Sequence, residues 1–194
     1  MKKTLLLCGL AFALAGCQSV PPLNFSVPNV RFSQKKIDAE LKSMTVSIAR
    51  TDEKTGELPA GMERMVPQLW QTSLQESLNR MAIFNDDAPR KVNLAVKILK
   101  FDVPEDGLAA MLFKTETAAR YEIFDRKTGE IIYSRDFISR GELPFDMTLV
   151  GDARQREAIN RAVQNNIAGF LQSLETLEIA KPVVATASNG TAGT

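Results

Sequence analysis

The sequence predicts an α+β domain, an antiparallel sheet of about four strands with two helices on one face, in the order β-α-β-β-β-α. Three observations point there. Several segments alternate apolar and polar residues with period two, as half-buried strands do. Two longer segments repeat apolar residues at three- and four-residue steps, as helices with one buried stripe do. Short polar turns separate the last strands, which favours a meander with the helices stacked on one of its faces.

Each element follows from its own pattern. Residues Asn29 to Arg50 read as strand material, with Met44, Val46 and Ile48 on one face and Ser43, Thr45 and Ser47 on the other. Val30 and Phe32 suggest an earlier edge strand. Thr51 to Gly61 is a polar loop. From Met62 to Met81 an apolar stripe runs through Val66, Leu69, Trp70, Leu74 and Leu78, which predicts a helix. Pro67 belongs in its first turn, where a missing N–H goes unnoticed. Trp70 on that stripe reads as core.

Asn85 to Arg90 is a turn, and Lys91 to Val103 is a strand. Its apolar parity switches at Leu99, which implies a bulge or a strong twist. Pro104 to Gly107 closes a hairpin. The next strand points Met111, Phe113, Thr115, Thr117, Ala119, Tyr121 and Ile123 one way and Lys114, Glu116, Arg120 and Glu122 the other. Asp125 to Glu130 is a hairpin turn with Gly129 in place. Glu130 to Gly141 returns, and Leu143 to Gly151 is a loop. The last helix starts behind Asp152 as N-cap and runs to Leu177, with Ile159, Val163, Ile167, Phe170 and Leu174 on its apolar face. Arg154, Arg156 and Arg161 fall mostly on its polar side, solvated or in contact with an anionic lipid or glycan.

The ends carry a different signal. Lys2 and Lys3 precede an apolar run from Thr4 to Ala15. That run has the length of a signal-peptide core and falls short of the roughly 20 residues a membrane span needs. Leu14-Ala15-Gly16-Cys17 resembles the bacterial lipobox, in which the signal is cut between Gly16 and Cys17 and the cysteine is lipidated. The resemblance implies diacylglycerol and an N-acyl chain such as palmitate on Cys17, with no other cofactor. Gln18 after Cys17, in place of Asp, implies delivery to the outer membrane facing the periplasm. The expected organisation is 1–16 signal peptide, 17–29 lipidated cysteine and proline-rich tether, 30–179 a single domain, and 180–194 a disordered tail.

Composition narrows the chemistry. The precursor has 24 Lys+Arg, 23 Asp+Glu and no histidine. Without Lys2 and Lys3 the formal charge becomes −1, too little positive charge for a nucleic-acid backbone. Cys8 leaves with the signal and Cys17 is expected to be acylated. A mature chain without histidine or a free thiol has no Ser-His-Asp, cysteine-nucleophile or Cys/His zinc site. The acidic pairs Asp86-Asp87 and Glu105-Asp106 sit in turns, where acids are common, and no loop has EF-hand spacing. No catalytic or metal site is expected. One segment stands out as a possible interaction patch: Leu108, Met111, Leu112 and Phe113 make a hairpin tip unusually apolar. Met111 and Phe113 equally fit the inward face of the strand.

Leu69 to Phe84, Thr115 to Phe137 and Arg161 to Leu171, taken with the lipobox and tether, resemble the YajG-type envelope lipoproteins of Gram-negative bacteria. A looser resemblance reaches LptE-like lipoproteins of lipopolysaccharide assembly and auxiliary lipoproteins of ABC-type lipid transporters. These families imply a non-enzymatic, lipid-anchored module that binds or helps assemble another envelope component. A lipid- or glycan-binding module is the second reading, and a carboxylate-based hydrolase the third.

Overall fold

A computed structural model describes residues 22–56, 58–59, 61–103, 112–144 and 151–177. Its elements are β1 (Glu40–Ile48), α1 (Met65–Met81), β2 (Lys91–Asp102), β3 (Leu112–Asp125), β4 (Ile131–Pro144) and α2 (Gly151–Glu175). The sheet order is β1-β2-β3-β4. This is the predicted α+β arrangement, with one pairing of a different kind: β1 lies parallel to β2, whereas the other two pairings are antiparallel. The cause is α1, which carries the chain back along the sheet before β2 begins, as a parallel pair requires.

The core lies between the sheet and the two helices. Val92, Leu94, Val96 and Ile98 of β2 meet Ala119, Tyr121 and Ile123 of β3 beneath Trp70, Leu74, Val163, Ile167 and Phe170. Pro67 sits in the first turn of α1. The parity switch in β2 is a bulge between Ile98 and Lys100. It keeps Ile98 and Phe101 inward and turns Leu99 to the opposite face, where it joins Ala49 and Ala118 in a small cluster. The chain after β1 folds over that cluster, Ala49 N–H donating to Ile98 O and Thr55 N–H to Leu99 O.

Four expectations are corrected. The segment assigned to the tether is core from Phe25 onward: Phe25 and Val27 are buried, with the Phe25 ring edge-on to Trp70 at 6.5 Å. Asn24 N–H donates to Asn160 Oδ1 and Gln164 Nε2 donates to Asn24 O, so the segment is bound to α2 while its aromatic ring packs on α1. Burial of a phenylalanine outweighs the extended bias of the prolines around it. Val30 and Phe32 form no strand, and Phe32 is 60% exposed. Leu143, expected in a loop, is a buried residue of β4. Arg154 is 0% exposed, with its guanidinium 4.7 Å from the Phe113 ring centroid, so it faces neither solvent nor a lipid.

The β3–β4 turn is tied back by Asp125. Arg90 Nε donates to its carboxylate at 2.8 Å, and the Lys127 and Thr128 N–H groups donate to the other oxygen. The Arg90 bond, followed by these backbone donors, lowers the Asp125 pKa from its ordinary 3.8. A depressed folded pKa gives stability that is complete above the unfolded value and is lost as pH falls through the folded one. Asp125→Asn is therefore expected to flatten the acid limb of stability below about pH 3.8, checked by urea denaturation followed downward from neutral pH.

Candidate interaction face

The outward face of the sheet follows directly from strand alternation. β3 presents Lys114, Glu116, Ala118, Arg120 and Glu122 there, and β4 sets Glu142, Arg140, Ile138, Asp136 and Ser134 opposite them. Charges of opposite sign meet across the strands. Arg120 holds Asp136 with two bonds of 2.7 and 2.9 Å. Glu116 accepts from Arg140 Nε at 2.7 Å and from Lys100 Nζ at 2.9 Å. Lys97 reaches Glu53 at 3.0 Å and Glu122 at 3.4 Å.

The pKa directions agree with this pairing. Hydrogen bonds from Lys100 and Arg140 lower Glu116, and that from Lys97 lowers Glu53. Glu116 in turn raises Lys100, and Glu53 raises Lys97. Glu116 and Glu53 are thereby held ionised, and Lys100 and Lys97 protonated. None is poised near neutral pH, as a general acid or base would be.

Ile138 interrupts the charges. It is 70% exposed, stands opposite Ala118, and lies between the Arg140–Glu116 and Arg120–Asp136 pairs. It is a single apolar side chain in a charged surround. The edge beyond β4 is closed at one end by α2. Asn166 Nδ2 donates to Phe137 O, Asn165 Nδ2 to Arg140 O and Arg161 Nη1 to Glu142 O. A helix covering an edge strand blocks uncontrolled strand pairing and leaves the sheet's face as the accessible surface.

Between the layers runs a buried polar chain. Trp70 Nε1 donates to Tyr121 Oη at 3.2 Å, and Tyr121 donates to Asn166 Oδ1 at 3.0 Å. Burial pushes the Tyr121 phenol well above its ordinary range, so it stays neutral and serves as a fixed joint between α1, β3 and α2. The Tyr121 ring also stacks on Phe170 with centroids 4.2 Å apart.

The residues singled out from sequence fall in several places. Phe113 is buried, with the Arg154 guanidinium over its ring. Leu112 lies in β3 opposite Pro144. Leu108, Met111, Glu105 and Asp106 lie outside the described residues, as do Gly16 and Cys17. Three surface clefts are lined by one carboxylate each, Asp86, Glu76 and Glu53, so they assemble no pair for acid–base hydrolysis. Among the described residues no group of three or more Asp, Glu, Cys or His could hold a metal ion, and no helix is long and apolar enough to cross a membrane. The residue that the sequence left unremarked is Ile138. Its exposure was readable only as a break in β4's charge alternation.

No protein family and no curated protein matches the sequence. Several solved structures resemble the fold, small bacterial lipoproteins among them. A Xanthomonas campestris protein of family DUF330 aligns over 79% of this chain and 96% of its own, at 13% identity and a TM-score of 0.45. The PelC dodecamer of Paraburkholderia phytofirmans aligns over 74% and 93%, at 12% identity and a TM-score of 0.44. A minor lipoprotein of Acinetobacter baumannii aligns over 70% and 93%, at 12% identity and a TM-score of 0.41. This is a likeness of outline, and no residue role is transferred from it.

Proposed function

We propose that the chain is a non-enzymatic lipoprotein of the bacterial cell envelope, anchored through Cys17 to the outer membrane, that acts as a binding or assembly module for another envelope component. The observation that carries the reading is Leu14-Ala15-Gly16-Cys17 behind a short basic and apolar leader. Acyl chains on one cysteine add about 0.8 kcal/mol per buried methylene, and more than one chain makes release rare. The ion-paired face around Ile138 supports the binding role. Its charges are spent on one another, which suits recognition rather than proton transfer.

The test is the intact mass of the protein purified from membranes. A chain that begins at Cys17 and carries diacylglycerol with an N-acyl group is expected. Cys17→Ser is expected to lose the acyl mass and to keep its leader. Unmodified protein beginning at Met1 would overturn the reading.

The second reading, a module for a lipid or glycan, has one feature in its favour. The exposed face of α1 is rich in neutral amides, Gln68, Gln71, Gln75 and Asn79, which line one broad shallow cleft with Thr72 and Glu76. Added glycan or lipid bound by the purified protein in native mass spectra would favour it.

A further inference from the structure

The geometry points to a second, non-covalent membrane contact: the turn at Arg31, Phe32, Lys35 and Lys36 seats on an anionic bilayer surface. This rests on acylation of Cys17 as read above.

Phe32 is one of few large apolar side chains left exposed among the described residues, at 60%. It is not displayed on a loose loop. Ser33 N–H donates to Met81 O at the end of α1, and the Ser33 hydroxyl meets the Glu175 carboxylate on α2 at 2.9 Å. Lys35 N–H donates to Ser33 Oγ, and Ile37 N–H to Ile83 O. The backbone carrying Phe32 is thus fixed while its ring stays in water.

Three of its neighbours are cationic, alongside the Glu175 carboxylate on Ser33 and Asp86 in the cleft beside Lys36. Arg31 and Lys36 are exposed and Lys35 is half-buried. The Lys36 ammonium stands 4.9 Å from the Phe32 ring centroid. An aromatic ring among lysines and arginines suits the boundary between acyl chains and anionic headgroups. There the ring leaves water while the cations stay at the phosphates.

The reach of the chain selects the bilayer as occupant. Only four residues lie between Cys17 and Pro22, a span of roughly 17 Å when fully extended. Pro22, Asn24, Pro28, Asn29, Arg31 and Phe32 are exposed residues of the segment between the anchor's exit and the turn. The neighbouring face of α1 opposes nothing. Gln68, Gln71, Thr72, Gln75 and Asn79 are neutral, and Glu76 is paired with Arg80. With the helix layer against the bilayer, the sheet face and Ile138 point away from it, open to a partner.

The test uses the acylated full-length mature protein carrying Phe32→Trp, in vesicles of phosphatidylethanolamine and phosphatidylglycerol. Trp70 is fully buried, and its signal is subtracted with the unsubstituted protein. The added emission is expected to be quenched by lipids brominated on the acyl chain and shielded from aqueous iodide. Replacing Arg31, Lys35 and Lys36 by Gln in the same background is expected to abolish most of that quenching. Pure phosphatidylcholine vesicles are expected to weaken it. A vesicle-bound, acylated protein whose added tryptophan is quenched by iodide but not by the bromolipid overturns the contact and leaves the anchor standing. Shielding from both quenchers assigns Phe32 to a protein surface and likewise overturns it. A mass without acyl chains removes the anchoring reading and this inference together.

Discussion

Gly141→Ala is expected to destabilise the domain by about 3 kcal/mol or more, a large share of a typical folding free energy. A Cβ on Gly141 would lie 1.9 Å from Ala158 O and 2.5 Å from Ala162 N, both backbone atoms of α2. No rotamer relieves a clash with backbone. The helix would have to lift from β4 and strain the bonds it makes to Phe137 O, Arg140 O and Glu142 O. Gly129→Ala is the control. Its φ is +75° and nothing lies within 4 Å, so the expected loss is only the left-handed penalty of about 1–2 kcal/mol. Urea denaturation of both variants separates the two mechanisms. A Gly141→Ala loss no larger than that of Gly129→Ala would mean that α2 does not cross β4 at this distance.

Trp70→Ala is expected to cost about 3–5 kcal/mol. The ring is fully buried, meets Phe25 edge-on and donates to Tyr121. Its loss opens a cavity at the point where residues 22–29 meet the core, and it leaves one acceptor site on the Tyr121 oxygen unfilled. Thermal unfolding of the variant measures the loss. Coupling to Phe25→Leu in a double-mutant cycle measures how much of it belongs to the segment. A loss below about 1 kcal/mol, with no coupling, would return residues 22–29 to the status of a free tether.

Much of the fold was legible because its signals are local. Period-two alternation named the inward residues of β3, and the parity switch at Leu99 marked the bulge in β2. Gly129 stands in the β3–β4 turn with positive φ, as its place in the sequence implied. What stayed hidden depends on distant partners. The parallel pairing of β1 is set by where α1 deposits the chain. Phe25 belongs to the core because the groove beside Trp70 and Asn160 accepts it, and three nearby prolines pointed the other way. Arg154 looked solvated on its own helix and is enclosed because β3 brings Phe113 across it. The interaction face was half legible. Its alternating charges were visible on β3, whereas their pairing with Lys100, Asp136 and Arg140 needs the register.

The central claim, an anchored module that holds another envelope component, is tested most directly by native mass spectrometry. The protein would be released gently from its own envelope with the acyl anchor intact. The expected result is a stoichiometric complex with a second envelope component, lost on Ile138→Asp while the fold and the acylated mass are unchanged. Acylated protein alone, with no protein, lipid or glycan mass added, would contradict the claim.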